Sequence, residues 1–346
     1  MENLLEKIIK EEKTEELARL DAINIVNSLF SELLDREKDI LTRRFGLKGD
    51  KGETLEKIGS LHKLTRERVR QIEFASVKKI KKLENLEAQI ATLKDAVKEL
   101  LEEHGGLIKK DYLLDILTVM SLETGSDFDA NSSENEKTKQ SYKNHFNFLI
   151  SKLMNDDLEL VSASDKFTPS LKLKNNDTGH LEELADDLLA KVEGLKKTLS
   201  TEELLDLLKK LDSYIKNQEK LNKVGGANIE SVFKSQIFPD KGELINSNKI
   251  LYSLMQAVKN LEQNKYGEWG MADSEEIKPK TVNDKIYLIL KHEGKPLHFT
   301  EIAKKINEIK FDKKTANAAT VHNELILDNR YVLMSRGTYG LKDWQK

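Results

Sequence analysis

The stretch TRERVRQIE, residues 65–73, gathers three arginines, two glutamates and a glutamine within about two and a half helical turns. These side chains match the edges of nucleic-acid bases. Arginine pairs with guanine O6 and N7, glutamine with adenine N6 and N7, and glutamate accepts from cytosine N4. With residue 66 at zero and about 100° per residue, Val69, Ile72, Ser76, Ile80 and Leu83 cluster near roughly 280°. Arg66, Glu67, Arg70, Gln71 and Phe74 fall between about 0° and 140°. The spacing predicts a helix with a core face and, nearly opposite, a face of long donors and acceptors. Val77 lies near the edge of the polar sector. Lys78, Lys79, Lys81 and Lys82 follow, suited to phosphate contacts that position without reading sequence.

Covalent or metal chemistry finds no comparable constellation. The histidines at 62, 104, 145, 180, 292, 298 and 322 include no pair at the i, i+4 spacing of a zinc helix, and the chain has no cysteine. No G-x-x-x-x-G-K-[ST] and no G-x-S-x-G occurs. Acidic pairs such as Asp186-Asp187 fit solvated helix surfaces, and Gly267-Glu268-Trp269-Gly270 fits an aromatic anchor in a turn. The expectation is a protein that is not an enzyme and has no metal, cofactor or small-molecule ligand.

Charge points the same way. The chain of 346 residues has a net charge of −3, but residues 35–83 hold 15 Lys/Arg against 8 Asp/Glu, a local +7, which leaves −10 on the rest. A basic module on an acidic chain is the electrostatic footprint of local nucleic-acid contact. Charged residues make up 34% and only four prolines occur, so long helical runs are permitted. No apolar run reaches the length of a membrane span, and the N-terminus lacks the apolar core of a signal peptide. A cytoplasmic protein with no membrane partner is expected.

The elements that must hold the reading face follow from local signals. An amphipathic helix is expected over residues 1–21, with Leu4, Leu5, Ile8 and Ile9 as its stripe. Leu34, Ile40, Leu41 and Phe45 mark a helix that stops at Gly46. Thr54 can cap a short helix carrying Leu55, Ile58 and Leu61, and Thr65 caps the next. Residues 22–85 thus read as a helix-turn-helix. Residues 86–176 suggest a winged-helix-like unit, with helices at 113–117 and 146–154 and two strands around an Ala-Ser-Asp turn in LELVSASDKFTPSLKLK. A polar, acidic stretch, 121–141, is expected within it as a flexible loop. A second such unit is expected over 177–279, with LSTEELLDLLKKL and KILYSLMQAVKNLEQ helical. A third covers 280–346, where YVLMS and YGLKDW flank an Arg336-Gly337-Thr338 turn. The expected fold class is mainly α and multi-domain, a helix-turn-helix followed by winged-helix-like units with small β-hairpins.

The residues LDREKDILTRRFGL, TLEKIG and LTRERVRQIEFASVKKIKKL closely resemble region 4 of the primary bacterial sigma factors over about 50 residues. The resemblance implies recognition of a −35 promoter element and contact with RNA polymerase, within the bacterial cytoplasm at the nucleoid. By position it makes Arg66, Glu67, Arg70 and Gln71 the base readers. It places Arg36, Arg44, Thr54 and Leu55 at the phosphate backbone, joined by Lys78, Lys79 and Lys82 further along. Two departures stand out: His62 where the family has an aromatic, and Ser76 where it has a small apolar residue. Nothing before residue 22 resembles the aromatic-rich region that melts the −10 element, so a complete sigma factor is not expected.

The last 60 or so residues, from GKPLHFTEIAKKINE to RGTYGLKDW, resemble the HARE-type winged helix of the polymerase delta subunit and of chromatin and restriction proteins. Shared features are Gly294, Pro296, Leu297, Asp328, Arg330, Gly337, Tyr339, Gly340, Leu341 and Trp344. Tyr339 and Trp344 are expected to pack the wing on the helices, while Lys314, Thr320, His322 and Asn323 are candidates for a groove. The expected function is that of a DNA-binding transcription regulator with double-stranded DNA and core polymerase as partners. The alternative is a delta-like accessory subunit that reads little DNA. A targeting component of a restriction system is a third, more distant reading.

Overall fold

The computed structural model describes residues 20–122, 133–161, 166–222, 226–233 and 241–345. Most of the expected N-terminal helix therefore lies outside the described residues. The chain forms two compact units, one of Met1–Ala185 with Asp212–Val258 and one of Asp186–Leu211 with Lys259–Lys346. Helices joined to small antiparallel sheets of two or three strands make up both, in keeping with the expected fold class.

The first unit begins with four helices: α1 (Ala22–Phe30), α2 (Asp35–Phe45), α3 (Leu55–His62) and α4 (Arg66–Ile80). Asp21 caps α1, Thr54 caps α3 and Thr65 caps α4, each accepting from a backbone N–H three residues on. α2 ends at Gly46 in the left-handed region (φ 65°), as its sequence predicts. Leu34 and Leu61, expected on the apolar stripes, are exposed instead. Leu34 stands just before α2, and Leu61 lies on the side of α3 away from Ile58.

Next come α5 (Leu86–Glu103), β1 (Leu107–Lys109), α6 (Lys110–Leu122), α7 (Ser133–Phe148), a π-helical turn at Leu149–Leu153, β2 (Leu158–Val161) and β3 (Ser170–Leu173). The three strands pair antiparallel in the order β1-β3-β2. The stretch expected as a loop, 121–141, is narrower than its composition suggests: Ser121 and Leu122 close α6, and 133–141 are the first turns of α7. Residues 123–132 and the Ala-Ser-Asp turn lie outside the described residues. The polar start of α7 is tied down by packing against α1 and α2 rather than by its own apolar content.

The segment 177–279 contributes to both units. It holds α8 (Gly179–Leu195), α9 (Thr201–Leu208), α10 (Lys249–Ala257) and the hairpin of β4 (Leu261–Gln263) and β5 (Trp269–Met271). KILYSLMQAVKNLEQ is not one helix. It breaks after Ala257, with extended Val258 and left-handed Asn260, and Leu261–Gln263 pairs with Trp269–Met271. Trp269 lies in a strand rather than a turn, buried, with its indole N–H on Thr201 Oγ1 at 3.1 Å.

In the first unit α10 covers β1, where Ser253 Oγ donates to the Leu107 carbonyl at 2.8 Å. Beside it His104 is fully buried. Its Nδ1 lies 2.7 Å from the Leu100 carbonyl, and its Nε2 has no partner among the described residues.

The second unit ends with α11 (Val282–Glu293), β6 (Leu297–His298), α12 (Phe299–Ile309), α13 (Ala318–Leu327), β7 (Tyr331–Ser335) and β8 (Thr338–Leu341), strand order β6-β8-β7. Its core joins Ile286, Ile289, Ile302, Ile306, Val321 and Leu325 to Tyr331 and Tyr339, with Trp344 packed against it. Tyr339 and Trp344 thus hold the wing to the helices, as expected. Lys314, Thr320 and Asn323 are exposed, but His322 lies against Phe299, ring centroids 4.6 Å apart, and packs rather than facing outward.

Candidate nucleic-acid interface

Helix α4 sits on α2 and α3 through a small apolar core. Ile40, Ile58 and Val69 are completely buried, and Leu55, Leu64 and Ile72 pack around them. The turn between α3 and α4 is tight. Lys63 closes α3 in the left-handed region at φ 56°, and a methyl group at Gly59 would stand 2.7 Å from the Leu64 carbonyl oxygen. Only glycine allows that approach. Ser76, the polar residue on the core face, is fully buried and satisfied, its hydroxyl donating to the Ile72 carbonyl at 2.7 Å.

The four expected base readers are all exposed on the opposite side of α4. They are also paired. Arg70 Nε and Nη2 donate to the two carboxylate oxygens of Glu67 at 2.9 and 2.7 Å. Arg68 Nη1 donates to Gln71 Oε1 at 3.1 Å, and Arg66 Nη1 lies 3.1 Å from Glu56. The hydrogen bonds from Arg70 hold the Glu67 carboxyl below its usual range. Exposed pairs of this kind contribute about 0–1 kcal/mol, so exchanging them for base edges costs little.

The expected backbone residues divide. Lys78 and Lys82 are exposed, with no ion pair found for them among the described residues, and Lys79 lies a loose 3.7 Å from Glu37. Arg36 is exposed and donates to the His62 carbonyl at 3.0 Å. Thr54 is occupied as a cap, and Leu55 is half-buried in the core. Arg44 is drawn inward: Nε lies 3.3 Å from Glu73 and Nη1 donates to the Glu53 carbonyl at 3.0 Å.

His62, the departure under the turn, has a role of its own. Its Nε2–H meets Asp39 at 2.8 Å, on the same carboxylate oxygen that receives Arg43 Nε at 2.8 Å. Burial raises the Asp39 pKa, but the bonds from Arg43 and His62 outweigh it and hold the carboxyl below its ordinary value. A polar bridge between α2 and α3 thus stands where an aromatic ring was expected.

Sequence reasoning missed what fixes this module in place. Phe148 of α7 is buried between Phe30 and Phe45, with ring centroids 5.6 and 5.0 Å away. Asn144 Nδ2 donates to the Gly46 and Asp50 carbonyls at 2.6 and 3.0 Å, and Ser141 Oγ donates to the Leu47 carbonyl at 2.7 Å. The last helix before the β2–β3 hairpin therefore serves as a brace for the glycine-rich loop. No local signal marked these contacts, because 94 to 98 residues separate the partners.

The family comparisons fall on this module. Residues 29–82 match the model of sigma-70, region 4. Residues 280–344 match a second model, HARE-HTH, the HTH domain shared by ASXL and restriction endonuclease proteins. Both are helix-turn-helix types rather than enzymatic families. Relatives are found for the region 4 segment. The sigma factor SigA of Lactococcus lactis subsp. cremoris is 43% identical over 56 residues, 16% of this chain and 15% of that protein. SigA of Microcystis aeruginosa is 38% identical over 72 residues, 21% of this chain and 16% of that protein. RpoD of Helicobacter pylori is 46% identical over 57 residues, 16% of this chain and 8% of that protein. The chain thus spans less than a fifth of each of these relatives. No solved structure matches it significantly. In the region 4 module, α3 and α4 are the helix-turn-helix and α4 is the second helix, the one that enters a major groove in this motif.

Among the described residues no group of three His, Asp or Glu could hold a metal ion, and no helix is long and apolar enough to cross a membrane.

Proposed function

We propose that the protein is a DNA-binding transcription regulator that works with RNA polymerase and reads a −35-like promoter element through α4. The observation that carries this is the display of Arg66, Glu67, Arg70 and Gln71 together on the solvent side of a helix whose other face is buried on α2 and α3. Their donors and acceptors suit guanine, cytosine and adenine edges. In this reading Lys78, Lys79, Lys82 and Arg36 set the register on phosphates. Arg44, Thr54 and Leu55 act at the same surface mainly by shaping it, since each is already engaged in the fold. The protein acts in the bacterial cytoplasm at the nucleoid.

A second reading follows from the HARE-type match: an accessory subunit, delta-like, that docks on polymerase and reads little DNA. Fluorescence anisotropy of the full chain on a −35-like and a scrambled duplex, with and without core polymerase, separates the two. Preference for the −35-like duplex by the chain alone is the expected result. Equal binding to both duplexes, with tight binding to core polymerase, favours the accessory subunit.

A further inference from the structure

Phe74 is the misplaced residue of α4. It lies about 40° from Arg70 and one turn further along, in the middle of the reading sector, and it is 67% exposed. A phenylalanine so exposed on a soluble helix contributes nothing to the core beneath it. Beside it Val77 is half-buried, and together they floor an open cleft of about 480 Å³. Cations rim that cleft: Arg70, Lys78, Lys81 and Lys152. The one carboxylate on its wall, Glu73, lies 3.3 Å from Arg44 and 3.4 Å from Lys152. The combination is an apolar spot ringed by positive charge, continuous with the base-reading side chains.

We infer that Phe74 is a further specificity-determining residue, which reads the C5-methyl group of a thymine in the major groove. This rests on the assignment of α4 as the reading helix. The thymine methyl is the apolar feature that a major groove presents, and phenylalanine is among the side chains that meet it. The positive rim matches the phosphates on either side of such a base. Four residues of α-helix separate Phe74 from Arg70, about 6 Å along the axis. At about 3.4 Å per base step this puts the thymine within one or two base pairs of the one that Arg70 reads.

The test uses the full chain and a duplex selected by it from a random pool. Each thymidine is replaced in turn by deoxyuridine, which keeps the base pair and removes only the methyl group. At one position, next to the base pair that an Arg70→Ala variant ceases to discriminate, the wild type should lose about threefold to fivefold in affinity, as expected for one buried methyl. Phe74→Ala should bind the thymidine and deoxyuridine duplexes equally at that position, and Phe74→Leu should retain part of the difference. Helical circular dichroism of both variants should match the wild type, since the side chain is outside the core. A wild type indifferent to every deoxyuridine overturns the inference, as does a penalty that persists in Phe74→Ala. Phe74→Ala that binds DNA normally but loses core polymerase marks Phe74 as a protein contact and also overturns it. If the pool yields no preferred sequence, the reading of α4 itself fails, a result distinct from the others.

Discussion

Arg70 and Glu67 form a two-armed ion pair on the exposed face of α4, with both guanidinium bonds under 3 Å. The pair pre-orients two side chains that the reading face requires, one turn apart. It also masks them from each other's partners until a base competes. An arginine fork that already holds a carboxylate in two bonds is shaped to hold O6 and N7 of guanine in the same way.

Arg70→Ala is therefore expected to cost about 1–3 kcal/mol on the preferred duplex and to relax preference at one base pair. Competition titrations against single-position variants of the duplex measure both effects. A uniform loss on every sequence would show that Arg70 touches only phosphate.

Lys78 and Lys82 should act differently, through charge alone. Replacing both with alanine is expected to weaken binding to all duplexes alike and to lower the slope of log K against log salt by about 2. Titrations of wild type and variant at three salt concentrations give that slope. An unchanged slope places both lysines off the DNA.

Phe148 should matter to the reading helix without being near a base. Its ring fills the space between Phe30 and Phe45 and is fully buried, so Phe148→Ala should destabilise the first unit by about 3–5 kcal/mol. Urea unfolding followed by circular dichroism reads the loss. A change below about 1 kcal/mol would mean that the brace is not part of the cooperative fold.

His104 gives the first unit a pH dependence. Burial first, then the charge of Lys249, push its pKa from 6.5 down to about 3. Between those values the unfolded chain binds a proton that the folded chain refuses. Stability should therefore be full above pH 6.5 and fall as the pH drops toward 3, by at most about 1.4 kcal/mol per pH unit. His145 and His180 are shifted in the same direction, so the contribution of His104 is the difference from a His104→Leu variant. Unfolding curves at pH 7.5 and 5 should converge for that variant and diverge for the wild type. Equal pH dependence in the two proteins would count against a neutral buried His104.

The region 4 module was legible in the sequence because its signals are local. Thr54 and Thr65 cap helices with their own next turn, Gly46 and Gly59 mark backbone that tolerates no side chain, and the period of Val69, Ile72 and Ser76 sets the core face. The same period placed Arg66, Glu67, Arg70 and Gln71 on the other side. Helix geometry couples the two faces rigidly, so knowing one was enough.

What only the tertiary structure decided depends on partners far along the chain. Residues 133–141 are too polar to predict a helix, yet α7 forms because Asn144 and Ser141 find the open carbonyls of the Gly46–Asp50 loop. KILYSLMQAVKNLEQ has helical spacing throughout, but its end is a strand because Trp269–Met271 offers a ladder there. Arg44 has the charge of a phosphate ligand and is instead shared between Glu73 and the Glu53 carbonyl. Local sequence determines which conformations are cheap, and long-range hydrogen bonds and buried surface decide which one is adopted.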